Sequence, residues 1–211
     1  MIIKIDGVDG CGKTTLCAAL AEALRHTGRT VATISEYSSP AVPSIDSNTL
    51  TPLPSLRIRE FALDPTLDCD DIERQLLLHF LSRRRNRVEI PYLHGRHDVV
   101  VVDRSSLSNY AYAHALDVTL SALSAIAATD PPEADHIFWI DTPIPTCLQR
   151  LMHRSPDAVE KKGSAYLNRV RDNFATCAAI NPAVHTLDGA APVPELIDHI
   201  LSIVTAPTTY T

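Results

Sequence analysis

The feature that most constrains this chain is a segment close to its start, Gly7-Val8-Asp9-Gly10-Cys11-Gly12-Lys13-Thr14. It matches the pattern G-x-x-x-x-G-K-[ST], in which backbone N–H groups surround a polyphosphate, the lysine reaches the outer phosphates and the hydroxyl holds Mg²⁺. The β-branched run at residues 2–5 predicts a buried strand before this phosphate loop, and residues 15–24 favour a helix after it. A strand, a glycine-rich loop and a helix in that order predict a site for nucleotide phosphates.

The composition argues against several classes of protein. The chain has 211 residues, 45% of them hydrophobic and 21% charged, which is typical of a globular domain. Its net charge of −6 argues against a nucleic-acid polymer as partner, because proteins that bind phosphate backbones are usually basic. The five cysteines show no C-x-x-C spacing, so neither a zinc site nor a disulfide framework is predicted. Without a recognisable signal peptide or membrane-spanning run, a cytoplasmic location is expected.

Strands and helices alternate along the chain, and this alternation predicts the fold. Four consecutive valines at residues 99–102 predict a strand buried on both faces, as in a parallel sheet. We expect an α/β fold of the P-loop NTPase type, a three-layer sandwich with a central parallel five-stranded sheet flanked by helices, plus a short lid. One domain is expected over residues 1–211. The five strands are predicted at residues 2–5, 30–34, 98–104, 136–141 and 184–188.

A long helix is predicted over residues 71–90, ended by Pro91. Its apolar residues recur at helical spacing and are Ile72, Leu76, Leu77, Phe80, Leu81 and Val88. Its other face carries arginines at positions 74, 83, 84, 85 and 87. A charged helix face is usually solvated. Phe80 and Arg84, however, share one side at i and i+4, where a ring can meet a base and a guanidinium a phosphate. Both interpretations stay open from this pattern alone.

Polar side chains follow the predicted strands, where open α/β sheets bind ligands. Asp103 ends the strand of valines and is expected beside Mg²⁺. Residues 38–56, rich in Pro, Ser and Thr, fit a surface loop or an excursion near a second substrate equally well. Residues 155–164 are polar and are typical of a mobile lid, which we expect at about 150–165.

In their order and spacing these motifs resemble the thymidylate kinases, within the nucleoside monophosphate kinases, over nearly the whole chain. Residues 7–15 match the family's Gly-x-Asp-Gly-x-Gly-Lys-x-Thr loop. Phe80 and Arg84 match its Phe-x-x-x-Arg, and Asp103-Arg104 matches its Asp-Arg pair. The remaining matches are Asn109 and Tyr112, the lid arginines Arg150 and Arg154, and Tyr166, Arg169-Val170 and Phe174 on the following helix.

The resemblance implies ATP-dependent phosphorylation of a pyrimidine deoxynucleoside monophosphate, dTMP first, with Mg²⁺ held by Thr14 and Asp103, in a possible homodimer. ATP binding is implied for Gly7, Gly10, Cys11, Gly12, Lys13, Thr14, Thr15 and Arg150. Substrate binding is implied for Asp9, Glu36, Arg59, Phe80, Arg84, Arg104, Asn109 and Tyr112. Catalytic roles are implied for Lys13, Asp103, Arg104 and Arg154.

Individual roles follow from the same resemblance. Phe80 would stack on the base, while Arg84 and Arg104 hold the acceptor phosphate. Asn109 would contact the pyrimidine edge, and Tyr112 would crowd the 2′ position and disfavour ribonucleotides.

Three segments depart from the family pattern. Ser105 stands where an aromatic residue or His usually follows Asp-Arg, only Glu36 remains of the Arg-Glu-Pro-Gly-Gly loop, and Ala158 replaces a lid arginine. These departures leave open a kinase for a different or modified pyrimidine nucleotide, such as a 5-substituted dUMP. A small-metabolite kinase predicts no Phe80–Arg84 pair, and a nucleotide-binding switch needs a switch segment that the sequence does not reveal.

Overall fold

A parallel sheet forms the centre of the computed structural model, which describes residues 1–34, 60–68, 70–116, 134–152 and 160–205. Its five strands are ordered β2-β3-β1-β4-β5, and every neighbouring pair is parallel. This confirms the predicted α/β fold. The strands are β1 (Ile2–Gly7), β2 (Val31–Ile34), β3 (Val99–Asp103), β4 (His136–Asp141) and β5 (Val184–Asp188).

Helices cover both faces of this sheet. They are α1 (Lys13–His26), α2 (Asp71–Arg84), a π-helix (Arg85–Glu89), α3 (Ile90–His94), α4 (Ser106–His114), α5 (Ile144–Leu151), a 3₁₀ turn (Glu160–Lys162), α6 (Gly163–Ile180) and α7 (Val193–Val204). Local chemistry sets several of the helix starts. Asp70 and Glu73 form a capping box that begins α2, and the Ser105 hydroxyl accepts a hydrogen bond from the Leu107 amide at the start of α4.

Alternation along the central strands produces the two apolar layers. On one face, Ile3 and Ile5 of β1 and Phe138 of β4 pack with residues of α1 and α7. On the other face, Ile137 and Trp139 of β4 pack with residues of α4 and α6. All five residues of β3 are buried, as its valine run predicts.

The strand order places the phosphate loop at a topological switch point. From β1 the chain crosses to the edge strand β2 and returns to β3 beside β1, and it then crosses to β4 and β5 on the other side of β1. Ligands of open α/β sheets bind outside the carboxyl ends of the strands at such a point. The segment after Gly7 lies there, because Gly7 is the last residue of β1.

The prediction that Pro91 ends the helix over residues 71–90 is wrong. The α-helical ladder of α2 stops at Arg84, a π-helix spans Arg85–Glu89, and α3 then continues through Pro91 to His94. Pro91 lies in the first turn of α3, directly after the π-helix, and the chain stays helical across it.

The interpretation of the arginine-bearing face as solvated is wrong for Arg74 and Arg85. Ile72 and Phe80, from the apolar stripe, are 55% and 51% exposed, whereas Arg74 and Arg85 are buried. Arg74 is buried because its guanidinium donates hydrogen bonds to three backbone carbonyls, those of Ala62, Asp64 and Leu67, at 2.8–2.9 Å. These three acceptors satisfy the donors of the Arg74 guanidinium, although helical spacing alone would place this residue in solvent.

Within the described residues, no helix has the length and apolar character needed to cross a bilayer. The predicted excursion at residues 38–56 and residues 153–159 of the predicted lid lie outside the described residues.

Candidate active site

The phosphate loop joins β1 to α1 and is tightly packed against its neighbours. Gly10 has φ +81°, and a Cβ atom there would lie 2.5 Å from the carbonyl oxygen of Cys147 in α5. At Gly7, φ is +149° and a Cβ atom would lie 2.6 Å from Cys11 Sγ. Glycine is therefore required at both positions by backbone conformation and by space. Gly12 precedes α1 and offers no side-chain cap, so the first-turn N–H groups of α1 can face an anion.

Lys13 is the first residue of α1, and its side chain is buried across the loop. Its ammonium donates a hydrogen bond to the Val8 carbonyl at 3.0 Å. Burial first, and then the Arg104 guanidinium, act to lower the pKa of Lys13, but negative charge nearby, including the carboxylates of Asp9 and Asp103, outweighs them and leaves that pKa raised. Lys13 thus stays positively charged beside the loop, as charge neutralisation of a phosphoryl group requires.

Thr14 and Asp103 form the predicted metal-binding pair. The Thr14 hydroxyl donates a hydrogen bond to Asp103 Oδ2 at 2.8 Å. The other carboxylate oxygen, Asp103 Oδ1, is buried and has no hydrogen-bond partner among the described residues. A hydroxyl and an unsatisfied carboxylate oxygen fit Mg²⁺, which takes oxygen ligands and is often bound by one or two carboxylates together with substrate phosphates.

A second cluster joins Asp9 of the loop to Arg104 and Tyr112. One Asp9 oxygen, Oδ1, accepts a short hydrogen bond from the Arg104 guanidinium, and Oδ2 accepts one from the Tyr112 hydroxyl at 2.8 Å. The Asp9 amide in turn donates to the Tyr112 oxygen at 3.0 Å. Burial first, and then the Asp9 carboxylate, raise the pKa of the Tyr112 hydroxyl well above its usual range. That hydroxyl therefore keeps its proton and continues to orient Asp9.

Asp6 organises the turn that presents Arg104. Its buried carboxylate accepts hydrogen bonds from the Ser105 amide at 3.1 Å to each oxygen and from the Ser108 hydroxyl at 2.5 Å. Arg104 itself has φ +70° and is the one non-glycine residue with positive φ in the described part of the chain. A strained residue at the carboxyl edge of the sheet is typical of a functional site.

Arg150 lies over the phosphate loop from α5. Its guanidinium donates to the Cys11 carbonyl at 3.0 Å and, less closely, to the Gly10 carbonyl at 3.3 Å. Arg150 is therefore beside the loop, where the family resemblance puts a donor-binding arginine. Burial raises the pKa of the Cys11 thiol, which lines the same turn in its neutral form. Thr15 is exposed on the first turn of α1.

The predicted base-contacting residues lie on α2 and α4. Asn109 is buried, and its Nδ2 has no hydrogen-bond partner among the described residues. Phe80 is half exposed, and Arg84 is partly buried with its Nε 3.8 Å from Glu89 Oε1. Helix α2 packs against α4, so these side chains belong to neighbouring elements. A buried amide donor without a partner is the chemistry expected of a group that binds a ligand acceptor.

Several predicted site residues lie outside the described residues, namely Glu36, Arg59 and Arg154. Their roles stay predictions. At the described end of the lid, Lys162 forms an ion pair with Asp71 in the first turn of α2, with its Nζ 2.6 Å from Oδ1.

Three residues that hold the site together were not predicted from the sequence. Asp6 and Ser108 position the turn after β3, and Arg85 donates to the backbone carbonyls of Asp103 and Arg104. The sequence indicated a structural role for Asp6, because a carboxylate near the end of a buried strand needs hydrogen-bond donors. No feature of the sequence distinguished Arg85, since it is one of several arginines in a run.

Comparison with known proteins gives one consistent result. The family model described as thymidylate kinase matches residues 54–200. A thymidylate kinase of Thermosipho africanus is 30% identical over 210 residues, which cover 97% of each chain. One from a Synechococcus species is 33% identical over 83% of each chain, and one from Xanthomonas campestris pv. campestris is 31% identical over 98% of this chain and 83% of its own. The chain therefore belongs to the thymidylate kinase family of phosphotransferases.

Proposed function

We propose that this protein transfers the γ-phosphoryl group of ATP to a pyrimidine deoxynucleoside monophosphate, with dTMP as the main acceptor. One observation carries the proposal: Asp9 of the phosphate loop accepts hydrogen bonds from both Arg104 and Tyr112. The phosphate loop is thereby joined directly to a cation, Arg104, and to an aromatic ring, Tyr112, that come from outside the loop. The names of the relatives support dTMP, because each is called a thymidylate kinase.

On the donor side, the chain supplies backbone amides and fixed charge. The first turn of α1 faces the phosphates of ATP, and Lys13 neutralises charge as it spreads over the transferring group. Thr14 and Asp103 would hold Mg²⁺, which would neutralise charge that develops on the donor phosphates. Arg150, beside the loop carbonyls, would contact the donor nucleotide.

On the acceptor side, side chains fix the attacking group. An acceptor phosphate oxygen forms the new bond to the γ-phosphorus as the bond to the β-phosphate oxygen of ATP breaks, releasing ADP. Arg104 is restrained by Asp9, and its forked guanidinium suits a phosphate. Asp9 would accept a hydrogen bond from the sugar 3′-hydroxyl, and the ring of Tyr112 would exclude a 2′-hydroxyl. Bringing two anions together in fixed alignment is most of what the reaction needs.

The choice of base is assigned to Asn109. Its amide carries both a donor and an acceptor and can pair with the N3–H and O4 edge of thymine or uracil. The Nδ2 donor is buried without a hydrogen-bond partner within the described residues, which supports a ligand acceptor there. A wrong base would leave this amide unpaired, so pyrimidines are expected well ahead of purines.

The test is a coupled assay of ADP release with ATP, Mg²⁺ and a panel of acceptors: dTMP, dUMP, a 5-substituted dUMP, dCMP, dGMP and dAMP. We expect the highest kcat/KM with dTMP. A purine preference would contradict the role of Asn109. Release of ADP without acceptor dependence would indicate a nucleotide-binding switch, and a strict requirement for a non-nucleotide acceptor would indicate a metabolite kinase.

A modified pyrimidine is the second candidate, and Ser105 favours it. This residue caps α4 and donates its amide to Asp6, so it places no ring in the pocket where relatives usually have one. A 5-substituted dUMP that exceeds dTMP in the panel would establish this alternative.

The catalytic cation of the lid is assigned to Arg154. Gly10 has no room for a side chain, and Lys162 is paired with Asp71, so neither position offers a cation to the transferring group. Arg154→Ala should lower kcat by about 10²- to 10⁴-fold with a much smaller change in acceptor KM, because an arginine acting at the transition state affects turnover more than binding. A loss of kcat of this size in a Lys161→Ala/Lys162→Ala double variant, with the kcat of Arg154→Ala unchanged, would contradict the assignment.

Several broader expectations stay predictions from the resemblance and composition. They are one kinase domain over residues 1–211 with a lid at about 150–165, a homodimer and a cytoplasmic location.

A further inference from the structure

We propose that Arg85 is a positioning residue, which fixes the backbone at the Asp103–Arg104 junction and so aims the Arg104 guanidinium. Its guanidinium donates one hydrogen bond to the Asp103 carbonyl at 3.0 Å and another to the Arg104 carbonyl at 2.7 Å, and both are buried. The inference rests on the proposed function only for the identity of what Arg104 binds. The structural claim, that Arg85 holds this backbone, stands apart from it.

The junction needs such support because Arg104 is in an unfavourable conformation. Its φ of +70° brings Cβ close to the backbone, which costs free energy for any residue other than glycine. Such a conformation persists only where surrounding contacts determine it more strongly than local sterics oppose it.

The peptide groups on both sides of Arg104 are held from two directions. Their N–H groups face β1: the Arg104 amide donates to the Ile5 carbonyl at 2.8 Å, and the Ser105 amide donates to the Asp6 carboxylate. Their carbonyls face the opposite way, and both accept from Arg85. One planar, forked side chain therefore completes the hydrogen bonding of the strained turn.

Its position around the helix axis explains why Arg85, and not its neighbour, reaches this turn. Arg84 and Arg85 are consecutive, so their side chains point about 100° apart around the helix axis. Arg84 faces Glu89, while Arg85 faces the carboxyl end of β3. The segment is anchored in turn by Lys4, a fully buried residue of β1 whose ammonium donates to Asn86 Oδ1 at 2.8 Å. Strand β1 thus fixes both the strained turn and the helix that supports it.

Arg85 is assigned a positioning role because both of its terminal nitrogens donate to the backbone of the junction, while its buried Nε has no hydrogen-bond partner within the described residues. Its side chain is 4% exposed, and NH1 and NH2 each donate to a backbone carbonyl of the junction. Arg104, in contrast, donates to side chains and carbonyls that face the phosphate loop. Arg85 acts through Arg104, and its removal should have no further effect once Arg104 is gone.

The kinetic test compares Arg85→Met, Arg104→Met and the double variant, with Arg87→Met as the matched control on the exposed side of the same π-helix. We expect Arg85→Met to lower kcat/KM for the acceptor by about 10- to 100-fold, since small displacements of a positioning group have effects of this size. The kcat/KM of the double variant should lie within about 3-fold of the kcat/KM of Arg104→Met alone. Arg87→Met should resemble the wild-type protein.

Three results would overturn the inference. If the two losses multiply in the double variant, Arg85 contacts substrate independently. If Arg85→Met lowers the thermal midpoint but leaves kcat/KM of the folded protein unchanged, Arg85 serves stability alone. If Arg85→Lys, which keeps the charge but lacks the planar fork of two nitrogens, retains full activity, the forked geometry has no role. Arg85→Lys also serves as the test variant should Arg85→Met fail to fold, with partial loss expected.

A measurement without substrate separates this inference from the proposed function. Amide hydrogen exchange of Arg104 and Ser105, followed by NMR in wild-type protein and Arg85→Met, reports the stability of the turn directly. We expect exchange at least about 10-fold faster at these two amides, with β4 amides unchanged. Unchanged exchange at Arg104 would overturn the role of Arg85 whatever the acceptor proves to be. Failure of the acceptor panel alone would overturn only the proposed function.

Discussion

The proposed donor and acceptor sides of the site are built in different ways. The donor side is one continuous segment, the phosphate loop and the first turn of α1, and its main groups are backbone amides together with Lys13 and Thr14. The acceptor side is built from side chains of separate elements: Asp9 from the loop, Arg104 from the end of β3 and Tyr112 from α4. The two sides meet at Asp9, which belongs to the loop but whose carboxylate is held by acceptor-side residues.

This difference determines which kinds of change each side tolerates. A backbone cradle depends on φ/ψ angles and on the absence of side chains, so it should be broken by adding a methyl group. A side-chain cluster depends on hydrogen bonds across long sequence separations, so it should be broken by removing a donor.

The largest effect is expected from Lys13→Ala. Lys13 is a buried cation of the phosphate loop, and we propose that it neutralises the transferring phosphoryl group, so its loss should raise the barrier by about 3–5 kcal/mol and lower turnover by about 10²- to 10⁴-fold. The coupled assay with dTMP measures this loss, and circular dichroism checks that the variant remains folded. Near-normal turnover in a folded variant would remove the phosphotransfer assignment itself.

Arg104→Ala should have the next largest effect, and on the acceptor side alone. Loss of a forked guanidinium–phosphate contact should lower kcat/KM for the acceptor by about 10²-fold, whereas the Kd of ATP should change by less than about 3-fold. Arg84→Ala should act in the same direction. Titration of ATP by calorimetry and acceptor kinetics separate the two sides. A loss confined to ATP affinity would show that Arg104 belongs to the donor side.

The same contrast explains how much of the molecule could be predicted from its sequence. The phosphate loop was predictable because strand, glycines, lysine and helix are contiguous, and Thr14–Asp103 followed because a carboxylate at the end of a buried strand meets that loop. Arg85 was not predictable, since its position depends on a π-helix that shifts residues relative to a regular α-helix. The polar support from Asp6 depends on strand register, which brings Ile5 opposite Asp103.

Helix α2 shows why periodicity alone assigned the wrong face. Helical spacing put Arg74 and Arg85 on a charged face of the kind that is usually solvated, but carbonyls of the preceding segment and of the β3 end accept hydrogen bonds from these two buried residues. An arginine with several carbonyl partners can be buried, and those partners come from residues that the helix pattern does not contain.

Gly10→Ala should break the donor side without removing any functional group. The residue has φ +81°, and a methyl group there would lie 2.5 Å from the Cys147 carbonyl, so the loop must move. We expect the Kd of ATP to rise by about 10- to 30-fold, in keeping with roughly 1–3 kcal/mol of strain. Calorimetric titration of the variant with ATP measures this Kd.

Gly28→Ala is the matched control for this change. Gly28 has a similar φ of +83°, but no atom lies within 4 Å of an added Cβ and the residue follows α1 at its far end. The Gly28→Ala substitution should lower the free energy of unfolding by about 1 kcal/mol while leaving ATP affinity unchanged. Equal effects of the two variants on ATP affinity would show that the loss is global and that the loop is not selectively strained.

The smallest effect is expected from Tyr112→Phe, which tests the group that links the two sides. The substitution keeps the ring, including its edge contacts with Tyr166 and Phe174, and removes only the hydroxyl that donates to Asp9 at 2.8 Å. A net hydrogen bond to a charged group contributes about 1.5–3 kcal/mol, but Arg104 still holds Asp9, so only part of it should be lost. We expect acceptor KM to rise by about 3- to 10-fold, with ATP affinity unchanged. Because the ring remains, preference for the deoxyribonucleotide over the matching ribonucleotide should persist. The assay compares dTMP with its ribose counterpart in both proteins. A collapse of that preference with unchanged KM would assign sugar selection to the hydroxyl and leave Asp9 oriented by Arg104 alone.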